Sequence, residues 1–205
     1  MTNETQRYAD LMPDGSGLAD LQDNVLSDYE RATRLRSFSA TGIPGWLQTA
    51  EYAHAMLTCF RRLAGEPGHD VDAAVASRRK REQLLRDGRR QVHSIIGQPG
   101  LRYVVGGDPG MLASALTHVL EAIDWPTCTI GVMPDFNYGP QIPPLGTFYL
   151  LDDTSVSLET EVTSTTITEP KDIAVYDRAF TCVAALAVYG GEAKAVIRGV
   201  INSLD

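Results

Sequence analysis

Apolar residues recur at steps of three and four in six stretches of the chain, the spacing at which one face of an α-helix becomes apolar. These stretches predict helices over residues 18–36, 50–63, 70–87 and 109–123, a fifth helix from Pro170, and a last one that includes residues 196–204. Thr49 and Asp108 precede two of the helices and are residue types that cap helix N-termini. Pro44-Gly45 and Gly190-Gly191 interrupt the helical period, so the chain is expected to turn there.

Short runs of apolar and β-branched residues between the helices predict strands. At least one strand is expected between residues 91 and 105, another over 127–133, and a hairpin with arms 147–151 and 155–163 that turns at Asp152-Asp153. The order is therefore three helices, a mixed middle and two further helices. We predict an α+β fold in which helices at both ends pack on a small mixed sheet with a β-hairpin.

The predicted elements all lie within residues 18–205, whereas residues 1–17 are mostly polar. With 43% hydrophobic residues, the chain can bury one core. The expected organisation is thus a polar N-terminal tail and a single ligand- or partner-binding domain. Residues 134–147 form a proline-rich loop, and long ordered loops often cover binding sites. We expect a cavity between this loop, the Pro44-Gly45 turn and the polar face of the hairpin.

Charge argues against direct nucleic-acid binding, because the formal net charge is −8. The arginine-rich stretch 78–90 is a local exception, which either forms a solvated helix face or contacts an acidic partner or a phosphate-bearing ligand. The three cysteines are widely spaced, lack metal-ligand spacing and leave one unpaired in any disulfide scheme, so a reducing compartment is the simplest expectation. Since there is no N-terminal apolar h-region and no long apolar run, a cytoplasmic location without membrane contact is expected.

Several motifs, in order and spacing, resemble the C-terminal domain of actinobacterial XRE-family regulators of the WhiJ-like kind. The motifs are IPGWLQTAEYA at 43–53, Arg78-x-x-Arg81, TIGVMP at 129–134, Gly146-x-Phe148 and Glu159. The resemblance extends from about Leu18 to Leu204. Trp46 replaces a leucine of the family signature, and Gln98 stands where the family usually has an acidic residue.

This resemblance implies a sensor domain that binds a small molecule or a partner protein, commonly a short companion protein. Members of the family usually carry a helix-turn-helix head, and the residues before Leu18 are too few to build one. The expected function is therefore that of a stand-alone regulator-type sensor domain without DNA binding of its own, with a homodimer also considered. The alternative is a recruited cofactor-independent enzyme, of the cyclase or isomerase type, in natural-product biosynthesis.

Site residues follow from the two hypotheses. The expected ligand-binding residues are Trp46, Gln48, Gln98, Phe136, Tyr138, Phe148 and Glu159, and the expected partner-binding residues are Arg78, Arg79 and Arg81. As an enzyme, the protein would use Glu159 as acid or base and Gln98 to hold a carbonyl or hydroxyl group. Core packing is the alternative role for each aromatic residue.

The acidic residues of the hairpin lead to a separate hypothesis about an acidic site. If it closes as predicted, Glu159 and Glu161 come near Asp152 or Asp153, which would make an acidic metal or acid–base site. The alternative is a solvated polar face of the hairpin. We predict neither a metal nor a cofactor, since the histidines and cysteines show no ligand spacing.

Overall fold

The central element of the protein is a mixed β-sheet. The computed structural model describes residues 4–7, 17–65, 69–135, 142–160 and 163–204. Within them the strands are β1 (Glu4–Arg7), β2 (Arg34–Ser39), β3 (Gln91–Gly97), β4 (Cys128–Met133), β5 (Phe148–Leu151), β6 (Ser155–Glu159), β7 (Thr163–Ile167) and β8 (Val188–Tyr189). Their order across the sheet is β1-β7-β6-β5-β2-β3-β4-β8.

The sheet combines a parallel centre with antiparallel flanks. Strands β2, β3 and β4 are parallel, and every other neighbouring pair is antiparallel. Two crossover connections that contain helices join the parallel strands, as parallel pairing requires. At the centre Ser37 and Ser94 lie side by side and share a buried 2.8 Å hydrogen bond between their hydroxyl groups.

Helices cover both faces of the sheet unequally. The helices are α1 (Leu18–Arg31), α2 (Ala50–Ala64), α3 (Val71–Arg86), α4 (Pro109–Ala122), α5 (Pro170–Leu186) and α6 (Gly190–Ile201). One apolar cluster contains residues of α1, α2, α3, α4 and α6, including Leu116 and Ile197. A second cluster on the opposite face contains Phe38, Phe148 and the α5 residues Ile173 and Phe180. The sheet therefore lies between a thick helical layer and the single helix α5.

The α+β prediction is confirmed, and most helix boundaries agree within two residues. The last helix differs, because it begins at Gly190 and ends at Ile201, so residues 202–204 are not helical, contrary to the prediction. Thr49 caps α2 by accepting a hydrogen bond from the backbone N–H of Tyr52, and Asp108 caps α4 by accepting from Gly110 and Met111. The Asp152-Asp153 hairpin is also confirmed, since β5 and β6 pair across it. Asp152 has a positive φ of 50° at this turn.

One prediction was wrong at the end of the first helix. Helix α1 ends at Arg31 rather than at Arg36, and Arg34–Ser39 is the central strand β2. The apolar period of the helix continued by coincidence to Ala32 and Arg36. In the strand, Leu35 and Phe38 point to opposite faces and enter the two different apolar clusters, which only the period of a strand allows.

The sheet is also larger than expected. The second hairpin arm ends at Glu159, and residue 163 begins a separate strand, β7, rather than ending that arm. Glu4–Arg7, from the mostly polar N-terminal stretch, pairs with β7 as an edge strand. Among the described residues, no helix combines the length and apolar character needed to cross a bilayer.

Candidate ligand-binding cavity

A cavity of about 140 Å³ opens between the thick helical layer and the sheet. Helices α1, α2 and α3, the turn that carries Pro44-Gly45, and strands β5 and β6 each contribute to its wall. The lining residues are Gln22, Val25, Asp28, Tyr29, Ile43, Gly45, Gln48, Met56, Phe60, Arg78, Arg81, Tyr149, Leu151, Ser157 and Glu159. The turn and the polar face of the hairpin both contribute to this wall, and they lie against the arginines of α3. Residues 134–135 and 142–147 of the predicted loop do not line the cavity, and residues 136–141 lie outside the described part of the chain.

A chain of hydrogen bonds connects the turn to those arginines. Gln48 donates from its side-chain amide to the backbone carbonyl of Ile43 at 2.8 Å, and its amide oxygen accepts from a terminal nitrogen of Arg78 at 2.6 Å. The Nε of Arg78 donates at 2.9 Å to the amide oxygen of Gln22, which also accepts from Arg81. Two glutamines thus fix the positions of two guanidinium groups.

The two guanidinium groups have no carboxylate partner among the described residues. All their side-chain acceptors are amide oxygens, and neither forms an ion pair within 4.0 Å. Arg81 is only 5% exposed, and its Nε is buried without a hydrogen-bond partner in the described chain. Burial, and next the neighbouring charge of Arg81, lower the pKa of Arg78 to about 10. The cavity therefore contains positive charge that the protein balances poorly.

Two tyrosines complete the polar part of the wall. Burial raises the pKa of both Tyr29 and Tyr149 well above the ordinary phenol value, so both hydroxyl groups are protonated at neutral pH. The guanidinium carbon of Arg81 lies 5.8 Å from the ring centroid of Tyr29, within cation–π distance. Within the described residues neither hydroxyl has a hydrogen-bond partner, so both remain available as donors.

Glu159 lies at the mouth of this cavity. It is the last residue of β6 and is exposed to solvent. Its negative charge still acts on the interior. Burial is the main cause of the raised pKa of Tyr149, and the charge of Glu159 is the second; the same charge favours the charged form of Arg78. Glu159 thus acts electrostatically on Arg78 without forming an ion pair with either cavity arginine in the described structure.

Other residues predicted to contact a ligand lie elsewhere. Trp46 is 1% exposed and packs in the core with its ring centroid 6.4 Å from that of Trp125. Phe148 is equally buried on the opposite face of the sheet, against Phe38 and Tyr176. Gln98 follows β3 and accepts a hydrogen bond from the backbone of Asp135 at 3.1 Å. None of the three lines the cavity; Phe136 and Tyr138 lie outside the described residues.

The arginine-rich stretch has two sides. Arg78 and Arg81 face the cavity, whereas Arg79 is 40% exposed and forms an ion pair with the buried carboxylate of Glu82. Arg86 and His118 approach the same carboxylate, each at 3.4 Å. The stretch is therefore neither a uniformly solvated face nor a continuous cationic patch.

The acidic hairpin residues do not form one site. Asp152 accepts hydrogen bonds from the backbone of Thr33 and Arg34, and Asp153 pairs with Arg34 and Arg36 at the turn. Glu159 lies at the far end of β6, and Glu161 is outside the described residues. In the described part of the chain, no group of three or more acidic, histidine or cysteine residues is arranged to hold a metal ion.

Sequence reasoning missed most of the cavity lining, including Gln22, Tyr29 and Tyr149. Gln22 occupied a polar position between the apolar positions of α1, yet it is only 6% exposed. A buried glutamine cannot be distinguished from an exposed one by helical periodicity alone. Tyr149 alternates in β5 with Phe148 and Leu150, so it points to the face opposite those two residues. That alternation was the available signal.

Comparison with known proteins gives a family. A family model described as "Domain of unknown function (DUF5753)" matches residues 25–199. The chain belongs to this family. The match includes the turn, both cavity arginines and Glu159. No curated protein sequence matches the chain at a significant level.

Solved structures give only distant similarities. NucT from Helicobacter pylori has 10% identity and a TM-score of 0.47, covering 92% of this chain and 99% of NucT. The phospholipase D family member Nuc from Salmonella typhimurium has 12% identity and a TM-score of 0.46, covering 92% and 97%. The archaeal chromatin protein TrmBL2 has 11% identity and a TM-score of 0.42, covering 93% of this chain and 55% of TrmBL2. We draw no functional conclusion from similarities this low.

Proposed function

We propose that this domain binds a small molecule in the cavity between α1, α3 and the β5–β6 hairpin, and that it acts as a regulator-type sensor domain. The observation that carries the proposal is the bond between Gln48 and Arg78. Gln48 belongs to the IPGWLQT segment that most resembles the WhiJ-like regulators, and Arg78 lines the cavity. The segment that marks the resemblance therefore helps to build the cavity wall.

A small molecule is favoured over a partner protein as the occupant. The cavity is concave, and a volume of about 140 Å³ holds a compound of a few heavy atoms rather than a peptide segment. A companion protein would instead contact the outer surface, where the side chain of Arg79, one of the three arginines predicted to bind a partner, is 40% exposed. The net charge of −8 supports a role that does not include DNA binding by this domain.

The enzyme alternative has less support. It required Glu159 and Gln98 to act on one substrate, but β5 and β2 separate β6 from β3 in the sheet. Three strand spacings correspond to about 14 Å, too far for two groups that must both hydrogen-bond to one reacting centre. Glu159 is also exposed rather than enclosed with the reacting atoms.

Native mass spectrometry of the purified protein after incubation with an extract of its producing cells tests the proposal. The wild-type protein is expected to retain an unchanged small molecule. Ser157→Phe places a ring into the cavity from β6 and should prevent retention, whereas Ser155→Phe, on the same face of β6 but outside the cavity lining, is the matched control. Thermal unfolding of both variants checks that the fold persists.

Two outcomes would contradict the proposal. The sensor function fails if wild type and Ser157→Phe retain the same compounds, because binding then occurs elsewhere. It also fails if an extract component is chemically converted and Glu159→Gln abolishes the conversion, which would favour the enzyme. Loss of retention in Ser157→Phe alone, without conversion, supports the sensor.

A further inference from the structure

We infer that the cavity's ligand is a small organic carboxylate, whose charged group lies between the guanidinium groups of Arg78 and Arg81. This inference rests on the proposed function and adds the chemical class of the ligand. It is carried by the unbalanced charge of the cavity, by its unused hydrogen-bond donors, and by its size.

Charge balance favours an anion. Two guanidinium groups are brought to one cavity, and the shared acceptor between them, Gln22, is neutral. Placing like charges together out of bulk water is unfavourable unless an opposite charge is present for at least part of the time. In the described chain the carboxylates that line the cavity are Asp28 and Glu159; Asp28 pairs with Arg31, and Glu159 remains at the mouth. An anionic ligand would supply the missing charge.

The cavity contains hydrogen-bond donors that no described residue uses. The two glutamine oxygens are already occupied, while one terminal nitrogen of Arg78 and the hydroxyl groups of Tyr29 and Tyr149 have no partner in the described residues. A carboxylate only accepts hydrogen bonds, and its two oxygens match the planar fork of a guanidinium group. A neutral amide of the same shape would bring its own N–H donors against these groups.

The rest of the lining indicates an organic body. Val25, Ile43, Met56 and Leu151 form an apolar part of the wall. A cavity of roughly 150 Å³ lined by apolar side chains accommodates one benzene ring. At about 140 Å³, this cavity has room for a single ring or an aliphatic group of similar size. Inorganic phosphate would satisfy the arginines but leave the apolar wall uncovered.

Glu159 has a definite role in this arrangement, that of a competing anion. It is exposed at the mouth and close enough to influence Arg78, but no ion pair joins them in the described structure. A bound carboxylate and Glu159 would repel each other across the mouth. Removing the charge of Glu159 should therefore tighten binding, the opposite of the effect expected if Glu159 oriented the ligand through a hydrogen bond.

Isothermal titration calorimetry with three probes tests the inference on the intact protein. Benzoate carries a carboxylate on one ring, benzamide is its neutral counterpart, and inorganic phosphate is an anion without an organic body. We expect benzoate to bind at least about tenfold more tightly than either other probe. This comparison uses the wild-type protein and so does not depend on whether a variant folds.

Variants of α3 then locate the site. Arg78→Met should weaken benzoate binding by at least about tenfold, because it removes a charge-assisted, forked interaction. Lys80→Gln is the matched control: it removes the same charge from an exposed position on the same helix and should change binding less than about twofold. Glu159→Gln should tighten benzoate binding by about threefold. Arg78→Lys keeps the positive charge but loses the forked geometry of the guanidinium group, so its affinity for benzoate should lie between those of wild type and Arg78→Met.

The outcomes separate the inference from the proposed function. Equal affinity for benzoate and benzamide, equal affinity for benzoate and phosphate, or no benzoate binding overturns the carboxylate class. So does equal weakening by Arg78→Met and Lys80→Gln, or weaker binding in Glu159→Gln. The sensor function is unaffected by these results if Ser157→Phe still loses a compound that wild type retains from extract. It fails separately if that retention does not depend on Ser157.

Discussion

Charged side chains on two sides of helix α3 differ in whether the protein supplies the opposite charge. On one side, Arg78 and Arg81 face the cavity and bond only to neutral glutamine oxygens. On the other, the carboxylate of Glu82 is 1% exposed and is approached by Arg79, Arg86 and His118. The same helix thus has a cationic cluster without an anion and, one turn away, an anion that two arginines and a histidine approach.

The difference indicates which cluster is structural. The carboxylate of Glu82 has its opposite charges within the protein, in Arg79 and Arg86, and Arg86 also lies 4.5 Å from the ring centroid of Trp125. This cluster connects α3 to α4 through the contact between Glu82 and His118. The cavity cluster instead has room beside its charges. Completeness of the charge balance, rather than the number of arginines, distinguishes a packing contact from a binding site.

The largest effect on stability is expected from Glu82→Leu. This change removes a buried carboxylate and leaves Arg79, Arg86 and His118 without their shared acceptor, so the free energy of unfolding should fall by about 3 kcal/mol. Urea denaturation measures it. Glu82→Gln keeps one acceptor oxygen and should lose roughly half as much. If Glu82→Leu is as stable as wild type, the two sides of α3 do not differ as described.

A smaller effect of opposite sign is expected from Gln22→Glu. This nearly isosteric change places a carboxylate where Arg78 and Arg81 already converge, so the free energy of unfolding should rise by about 1 kcal/mol after the burial cost of the new charge. The same urea titration measures the rise. Benzoate binding should be lost in this variant, because the protein then supplies its own anion. If Gln22→Glu still binds benzoate, the carboxylate of the ligand does not lie between Arg78 and Arg81.

Arg81→Met should change stability by less than about 1 kcal/mol in the ligand-free protein. The substitution removes a buried cation of similar length, and Gln22 still accepts a hydrogen bond from Arg78, so no polar group loses its only partner. The informative quantity is the difference between the losses in free energy of unfolding that Arg81→Met and Glu82→Leu cause. A loss as large as that of Glu82→Leu, measured by urea denaturation, would show that Arg81 is a structural residue.

The smallest expected effect is a difference in acid sensitivity. Burial alone would raise the pKa of Glu82, but the hydrogen bond and charge of His118, together with Arg79 and Arg86, lower it below its ordinary value. The folded carboxylate therefore binds protons more weakly than the unfolded one. Its contribution to stability is present above the unfolded pKa and is lost as pH falls from about 5 through the folded pKa.

Urea denaturation at a series of pH values checks this prediction. Wild type and Arg81→Met should lose stability in parallel on acidification, whereas Glu82→Leu should lose less because it lacks the titrating group. Asp70 and Asp152, whose pKa values are also lowered by hydrogen bonds against the effect of burial, remain in all three proteins and cancel in the comparison. Identical slopes in all three proteins would contradict the assignment to Glu82.

The sequence predicted the helices better than the sheet, for a physical reason. Helices α2 and α4 bury one apolar stripe each, which periodicity detects directly. Strand β2 is central but short, and its apolar residues Leu35 and Phe38 serve different faces, so no alternation of polar and apolar positions marks it. Strand β7 consists almost entirely of threonine and serine, so no apolar pattern marks it. Backbone pairing with β6 holds it in the sheet.

For the site, the sequence predicted individual residues but not which of them lie close together. The sequence indicates four candidate site residues that the structure places around one cavity, namely Gln48, Arg78, Arg81 and Glu159. Their separation along the chain prevents any motif from showing that they meet. Trp46 attracted attention because it is large and near a turn, yet size also makes a residue suitable for the core, where it lies. Only the fold distinguishes these two uses of an aromatic ring.

The two edges of the sheet have a consequence for self-association. At one edge β8 has two residues, and at the other β1 has four, all of them exposed, with Glu4 and Arg7 among them. Short, charged edge strands offer few free backbone groups for another chain to pair with. Growth of the sheet from one molecule into the next is therefore disfavoured.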